Sequence, residues 1–266
     1  MLRELHEADR QAILDLAYRR ERENLFLIGN LESSAAFSEN RFFGAFRGDD
    51  LQAVSAWFGR FGSFVAAGEE AVIPSVVDAA AEAKVHIESV PMVQPLASLV
   101  VLQLHRRGLI PRPEHQSLFL ELKRQAFRPQ GSAARPAREE DRDALVLLQR
   151  ALHERSGDAP ITQQERSRIM IEAAVVAEAD GVIAATATAG VRSRRFAQMG
   201  GVITDARFRR RGLAAGCVSA LCQQCFAEGK EAVLLFTEAN NLAAQALYAK
   251  LGFTVIGEFL LAEYQS

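Results

Sequence analysis

The chain has 266 residues, 49% of them hydrophobic and 24% charged, and a formal net charge of -2. That composition fits one or two globular domains, and the near-neutral balance excludes a global electrostatic hold on nucleic acid or an anionic membrane. No apolar run approaches the ~20 residues of a membrane-spanning helix, and the charged opening residues hold no signal-peptide core, so a cytoplasmic protein is expected.

The first half opens with Arg3, Glu7, Asp9, Arg10, Ala12 and Leu16, an acidic-basic pair ahead of an apolar helical pattern, which signals a helix start. Phe42 to Trp57 reads as a hairpin around Gly48-Asp49-Asp50. Glu69 to Ala83 reads as a helix with Val72, Val76, Ala80 and Ala83 on one stripe. Val85 to Val90 reads as a strand, Leu96 to Arg107 as a helix ended by Gly108, and Gln116 to Leu122 as another strand. Phe127 to Pro136 has Pro, Gly, Ser and Ala without periodicity and reads as a linker.

The second half begins as the first did: Arg135, Glu139, Asp141, Arg142, Ala144 and Leu148 repeat the opening set 132 positions on. A helix is expected from about Glu139 to Glu154 and a strand from Ala173 to Glu178. Asp180-Gly181 forms a two-residue hairpin turn, because both types tolerate positive φ, and Val182 to Ala189 returns. Phe196 to Thr204 is a strand, a helix ends near Glu228 before Gly229, and Ala232 to Thr237 is a buried strand. Leu242 to Leu251 is a short helix closed by Gly252, and Phe253 to Leu261 a final strand. Cys217, Cys222 and Cys225 share one helix face with Val218 and Leu221 and read as core thiols, with no metal. The element order predicts an α/β fold, a mixed, largely antiparallel sheet flanked by helices, in two tandem copies.

Chemistry concentrates between the strand at Thr204 and the helix at Leu213. A helix start carries unpaired N–H groups and the positive end of its dipole, so it receives a diphosphate. In Arg209-Arg210-Arg211-Gly212-Leu213-Ala214, Gly212 permits close backbone approach, Ala214 keeps the first turn small, and the arginines add charge-assisted contacts.

Arg209-x-x-Gly212-x-Ala214 resembles the pyrophosphate loop of the GCN5-related N-acetyltransferases (GNAT), and Asn241-x-x-Ala244-x-x-Leu247-Tyr248-x-x-Leu251-Gly252-Phe253 resembles that family's second acyl-CoA element. The resemblance covers most of the second half. It implies that backbone amides from Arg209 to Ala214 cradle the diphosphate of acetyl-CoA, and that Val202, Ile203 and Thr204 lie where the family pairs its backbone with pantetheine. It also implies that Asn241 contacts the cofactor arm and that Tyr248 protonates the departing thiolate. Ala206 stands where the family often has proline. No carboxylate lies in Phe196 to Thr204, where many relatives place the base. Glu238 is the first candidate for that role, followed by His153 and Glu154.

The expected domains are residues 1–128, a degenerate GNAT-like copy; 129–136, a linker; and 137–266, a catalytic domain. The first half lacks the Arg-x-x-Gly-x-Gly/Ala pattern and has Leu104 where counting back from Gly108 matches Tyr248. The expected activity is acetyl transfer from acetyl-CoA to a primary amine of a small molecule or peptide, by direct attack and without metal, nucleic acid or membrane. A non-catalytic acyl-CoA sensor or partner-binding module is the alternative.

Overall fold

The computed structural model describes residues 1–32, 36–112, 115–131, 133–152 and 159–264. In chain order the first half carries β1 (Leu2–Leu5), α1 (Arg10–Tyr18), α2 (Leu25–Leu31), α3 (Ala36–Glu39), β2 (Asn40–Arg47) and β3 (Asp50–Phe58). It continues with β4 (Ser63–Gly68), α4 (Ile73–Glu82), β5 (Ser89–Val93), α5 (Leu96–Arg106) and β6 (His115–Lys123). The second half carries β7 (Arg135–Pro136), α6 (Arg142–Leu152), α7 (Gln163–Arg168), β8 (Ala174–Ala179), β9 (Val182–Arg192) and β10 (Phe196–Thr204). Then follow α8 (Leu213–Ala227), β11 (Ala232–Glu238), α9 (Leu242–Leu251) and β12 (Thr254–Glu263).

The chain divides into two units: residues 1–119, 236–240 and 256–266 form the first, and residues 120–235 and 241–255 the second. Residues 120–136, expected to close the first half and link it to the second, therefore lie with the second unit. Residues 256–266 lie with the first.

In unit 1, β1 to β4 form an antiparallel meander, α4 crosses over, and β5 returns parallel to β4 at Ser63↔Ser89. The end of β12 completes the row on β5, from Phe259↔Val93 to Glu263↔Ser89. Unit 2 repeats the order: β7 to β10 meander, α8 crosses over, and β11 returns parallel to β10. Within each unit the strand pairing is mixed, largely antiparallel and flanked by helices. The unit 1 core packs Ile13, Ile28, Phe42, Phe64, Ile73 and Leu104 with no exposed surface, each worth ~1.5–3 kcal/mol in transfer terms.

The duplication extends to interactions. Arg3 forks onto Asp9 at 2.6 and 2.8 Å, and Arg135 onto Asp141 at 2.7 and 3.0 Å. The N–H of His6 donates to Asp9 Oδ2, and that of Arg138 to Asp141 Oδ2. Arg10 pairs with Glu7, and Arg142 with Glu139. The recurring ion pairs, 132 positions apart in both partners, make chance an inadequate account of the matched residues.

The Arg3 guanidinium holds the Asp9 carboxyl down from 3.8 to about 2, and Arg135 lowers Asp141 in the same way. A carboxyl depressed by folding contributes stability that is complete above its unfolded pKa and is lost as pH falls through its folded one. The parent should therefore lose stability as pH falls from about 4 toward 2. A double variant, Asp9→Asn with Asp141→Asn, should be less stable at pH 7 and show a shallower acid loss, read from urea midpoints at three pH values. An acid loss as steep as the parent's would remove both pairs from the account.

Several boundaries differ from expectation. The helix expected from Glu69 starts at Ile73, because Pro74 in its first turn lacks an N–H and carries a helix-ready φ. The strand expected over Val85 to Val90 is β5, Ser89–Val93, which begins where Ser63 comes alongside. The helix expected from Glu139 opens as a 3-10 turn, Glu139–Asp141, before α6. The Asp180-Gly181 turn has φ of 52° and 79°, as a two-residue hairpin requires.

Candidate active site

The turn from β10 to α8 is built on two left-handed residues, Arg210 at φ 65° and Gly212 at φ 78°. The first bond of α8 runs from Gly216 N–H to Gly212 O, at 3.0 Å. The amides of Leu213, Ala214 and Ala215 thus stand outside the helical ladder, and no side chain caps them. An uncapped start on a 15-residue helix favours an anion. Such a start is compatible with a diphosphate.

The arginines divide. Phe208 is buried beneath the turn, with the Arg207 and Arg211 guanidinium groups over its ring at 5.3 and 5.1 Å. Arg207 pairs with Asp205 at 2.7 Å, and Arg211 with Asp180 in the β8–β9 turn at 3.2 Å. Arg207, with help from Arg209, holds the Asp205 carboxyl below its ordinary value. Arg209 and Arg210 are exposed and make no ion pair among the described residues, so they are the cations with most charge to offer an incoming anion.

The segment before β7 packs on the same helix. A Cβ on Gly131, at φ 92°, would meet Gly216 N at 2.3 Å and Gly212 O at 2.6 Å. Gln130 donates its N–H to Ser219 Oγ and accepts from the same hydroxyl, and its side chain reaches Lys250 O. The stretch read as a linker is thus pinned to α8 and to the end of α9.

β10 pairs with β11 at Phe196↔Ala232, Ala197↔Val233 and Gln198↔Leu234, where the parallel register ends. β10 continues to Thr204, with a bulge between Gly200 and Ile203 against β9. Asp205 N–H bonds to Ala184 O on the β9 side, at 2.9 Å. Alternation then turns the N–H of Thr204 to the opposite edge, and that of Val202 with it. Ile203 instead points its side chain into the cluster formed with Leu145, Leu148 and Val176.

On α9, Asn241 is the N-cap: its Oδ1 accepts from Ala244 N–H at 3.1 Å. Its amide nitrogen remains for another partner. Tyr248 is 5% exposed and meets Phe253 edge-on at 5.5 Å. Burial pushes its phenol up to about 12, with the neighbouring Cys222 adding to the effect. Cys217, Cys222 and Cys225 are all buried on α8, and burial raises each thiol.

The candidate bases fare differently. Glu238 ends β11 as an exposed residue and belongs to unit 1, whereas the turn, Asn241 and Tyr248 belong to unit 2. His153 and Glu154 lie outside the described residues. No group of three or more His, Cys, Asp or Glu able to hold a metal occurs among the described residues, and no helix there is long and apolar enough to cross a membrane. Sequence reading missed Asp180 and Asp205 as partners of the arginines; the signal available was only their acidity beside a basic turn.

Among curated proteins, none matches the chain in sequence. Residues 137–253 match the model of the acetyltransferase (GNAT) family. Solved structures match along the whole chain. A GCN5-related N-acetyltransferase from Sphaerobacter thermophilus is 17% identical, with a TM-score of 0.65 over 98% of this chain and 94% of that one. A tandem GNAT protein from the clavulanic acid biosynthesis pathway is 12% identical, with a TM-score of 0.62 over 98% of both chains. A GNAT-family acetyltransferase from Colwellia psychrerythraea is 15% identical, with a TM-score of 0.58 over the full length of each. Residues 137–253 thus form a domain of the acetyltransferase (GNAT) family, in a chain that has the fold of a tandem GNAT protein.

Proposed function

We propose that the chain is an acyl-CoA-dependent N-acyltransferase that moves an acetyl group from acetyl-CoA to a primary amine. The observation that carries this is the uncapped start of α8 beside an open β10 edge, all within the matched domain. The amides of Leu213 to Ala215 hold the diphosphate, with Arg209 and Arg210 supplying charge. The N–H groups of Val202 and Thr204 bond to the pantetheine arm and polarise the thioester carbonyl, stabilising the oxyanion as the amine attacks. Asn241 offers its amide nitrogen to the arm. Tyr248 meets the charge that develops on sulfur.

Unit 1 is read as a copy without this chemistry. The turn between β4 and α4 is Glu69-Glu70-Ala71-Val72, whose carboxylates repel a diphosphate, and Pro74 removes one amide from the helix start. Leu104 stands fully buried on α5 where Tyr248 stands on α9, each four residues before a left-handed glycine, Gly108 and Gly252. A calorimetric titration of the full chain with CoA should therefore saturate at one ligand per chain. Two would overturn the reading of unit 1, and none the reading of unit 2.

A further inference from the structure

The two copies of the fold differ at the hairpin that carries the open edge. In unit 1, β3 and β4 pair in one unbroken register from Phe58↔Ser63 to Ala53↔Gly68. In unit 2, β9 and β10 leave that pattern twice. From Gln198↔Val191 to Gly200↔Thr188, β10 advances two residues while β9 runs back three. From Gly200↔Thr188 to Ile203↔Thr186 the counts reverse, three on β10 against two on β9. One extra residue on each strand makes two opposed bulges that cancel, and the original register resumes at Ile203. Between them the row of Gly200 and Thr188 stands one residue out of step.

A displaced row between two bulges forgoes ladder bonds and needs another hold. Thr188 supplies it: its Oγ1 donates to Gly200 O at 3.0 Å, a side-chain bond across the row. β9 is itself fixed here, because β8 pairs with it in unbroken register from Ala174↔Thr188 to Ala177↔Ala185. Thr186, next on the same face, turns its hydroxyl the other way, to Val175 O on β8. Both bulges also use a glycine. Gly201 sits at φ 56°, where a Cβ would meet Thr188 Oγ1 at 3.1 Å. On β9 a Cβ at Gly190 would overlap Met170 Cε and Sδ, so the thioether seats on that bulge.

The displaced row follows Gln198↔Leu234, the last row in which β10 pairs with β11. The extra residue on β10 lies within Gly201-Val202, at the start of the opened edge. Bulges bend their strand and re-aim its groups, so this one sets where the Val202 N–H points. We propose that Thr188 is a positioning residue for acyl transfer: its hydroxyl pins the displaced row and so holds the Val202 N–H on the thioester carbonyl. The proposal rests on the N-acyltransferase reading, in which that amide polarises the carbonyl. Without the pin, the row can slip into the continuous register that unit 1 keeps, with Gly200 facing Ala189 and Val202 facing Ala187. The Val202 amide then loses its aim, while the diphosphate turn beyond Thr204 stays as it is.

The test uses the full chain saturated with acetyl-CoA and isotope-edited infrared difference spectra, with and without heavy carbon at the thioester carbonyl. In the parent the carbonyl stretch is expected below its value in free acetyl-CoA, because a hydrogen bond weakens the C=O bond. Thr188→Val keeps the shape and loses the donor. Most of the downshift should vanish in it, with CoA affinity within about 2-fold of the parent. Thr188→Ser, which keeps a hydroxyl, should restore the downshift. A merely structural Thr188 would lower the melting temperature without moving the stretch. A parent-like stretch in folded Thr188→Val overturns the assignment. Should that variant not fold, Gly201→Ala takes its place, since a Cβ at φ 56° strains the same bulge. An unchanged stretch there overturns the assignment, as does an unshifted carbonyl in the acetyl-CoA-loaded parent. Failure of the parent to bind acetyl-CoA would instead strike the N-acyltransferase reading itself.

Discussion

Replacing Tyr248 with Phe is expected to lower turnover about 10²- to 10³-fold while leaving CoA affinity within a few-fold. The ring keeps its place against Phe253, since only the hydroxyl is removed, so loss of packing is not a competing cause. A phenol at about 12 stays protonated across the range in which an acceptor amine, near 10.4, becomes neutral. Activity should then rise with pH as the amine deprotonates, with no falling limb from Tyr248 below about pH 11. The same value refines the role: a thiolate of ordinary basicity, about 8.5, does not strip a proton from such a phenol in the ground state. Tyr248 contributes by donating a hydrogen bond to the negative charge that builds on sulfur, which stabilises the departing thiolate without full transfer of the phenol proton. Turnover of Tyr248→Phe within a few-fold of the parent would assign the proton to water and leave Tyr248 as packing.

Replacing Gly212 with Val is expected to weaken CoA binding at least 100-fold, about 2.8 kcal/mol at 1.4 per tenfold. Two effects act together. A β-branched residue at φ 78° is strained by about 1–2 kcal/mol and pulls the turn toward another conformation. Its methyl groups also stand over the N–H groups of Leu213 to Ala215, where the phosphate oxygens must come close. Gly212→Asn separates the two, since Asn tolerates the left-handed region and carries only the bulk, and it should fall between parent and Val. Thermal melts establish that each variant is folded. A folded Gly212→Val that binds CoA as the parent does would remove the diphosphate from this turn.

The second half was legible because its signals are local. Phe196 to Thr204 and Leu242 to Leu251 were bounded as they stand in β10 and α9, and Asp180-Gly181 and Gly212 each announce a backbone conformation that few other residues accept. The duplication was legible from six matched residues because four of them, Arg3, Glu7, Asp9 and Arg10, form ion pairs that the fold needs twice. β4 was not read: Ser63-Phe64-Val65-Ala66-Ala67-Gly68 is short and Ala-rich, and its strand conformation comes from pairing with β3. Nor could the sequence show that Arg211 is spent on Asp180, since that pair depends on where a hairpin turn lands in space.

The placement of Phe259–Glu263 on β5 has a consequence for synthesis. When the ribosome has released residues 1–119, β5 has a neighbour at Ser63↔Ser89 but its other edge waits for a strand that follows unit 2 in the chain. Until then Val90 and Met92 stand on an unpaired edge, a template for wrong partners. Folding of unit 1 thereby waits until the whole of unit 2 has been synthesised, against the usual order in which domains fold as they emerge. A chain truncated before Ile256 lacks the strand that covers this edge of β5.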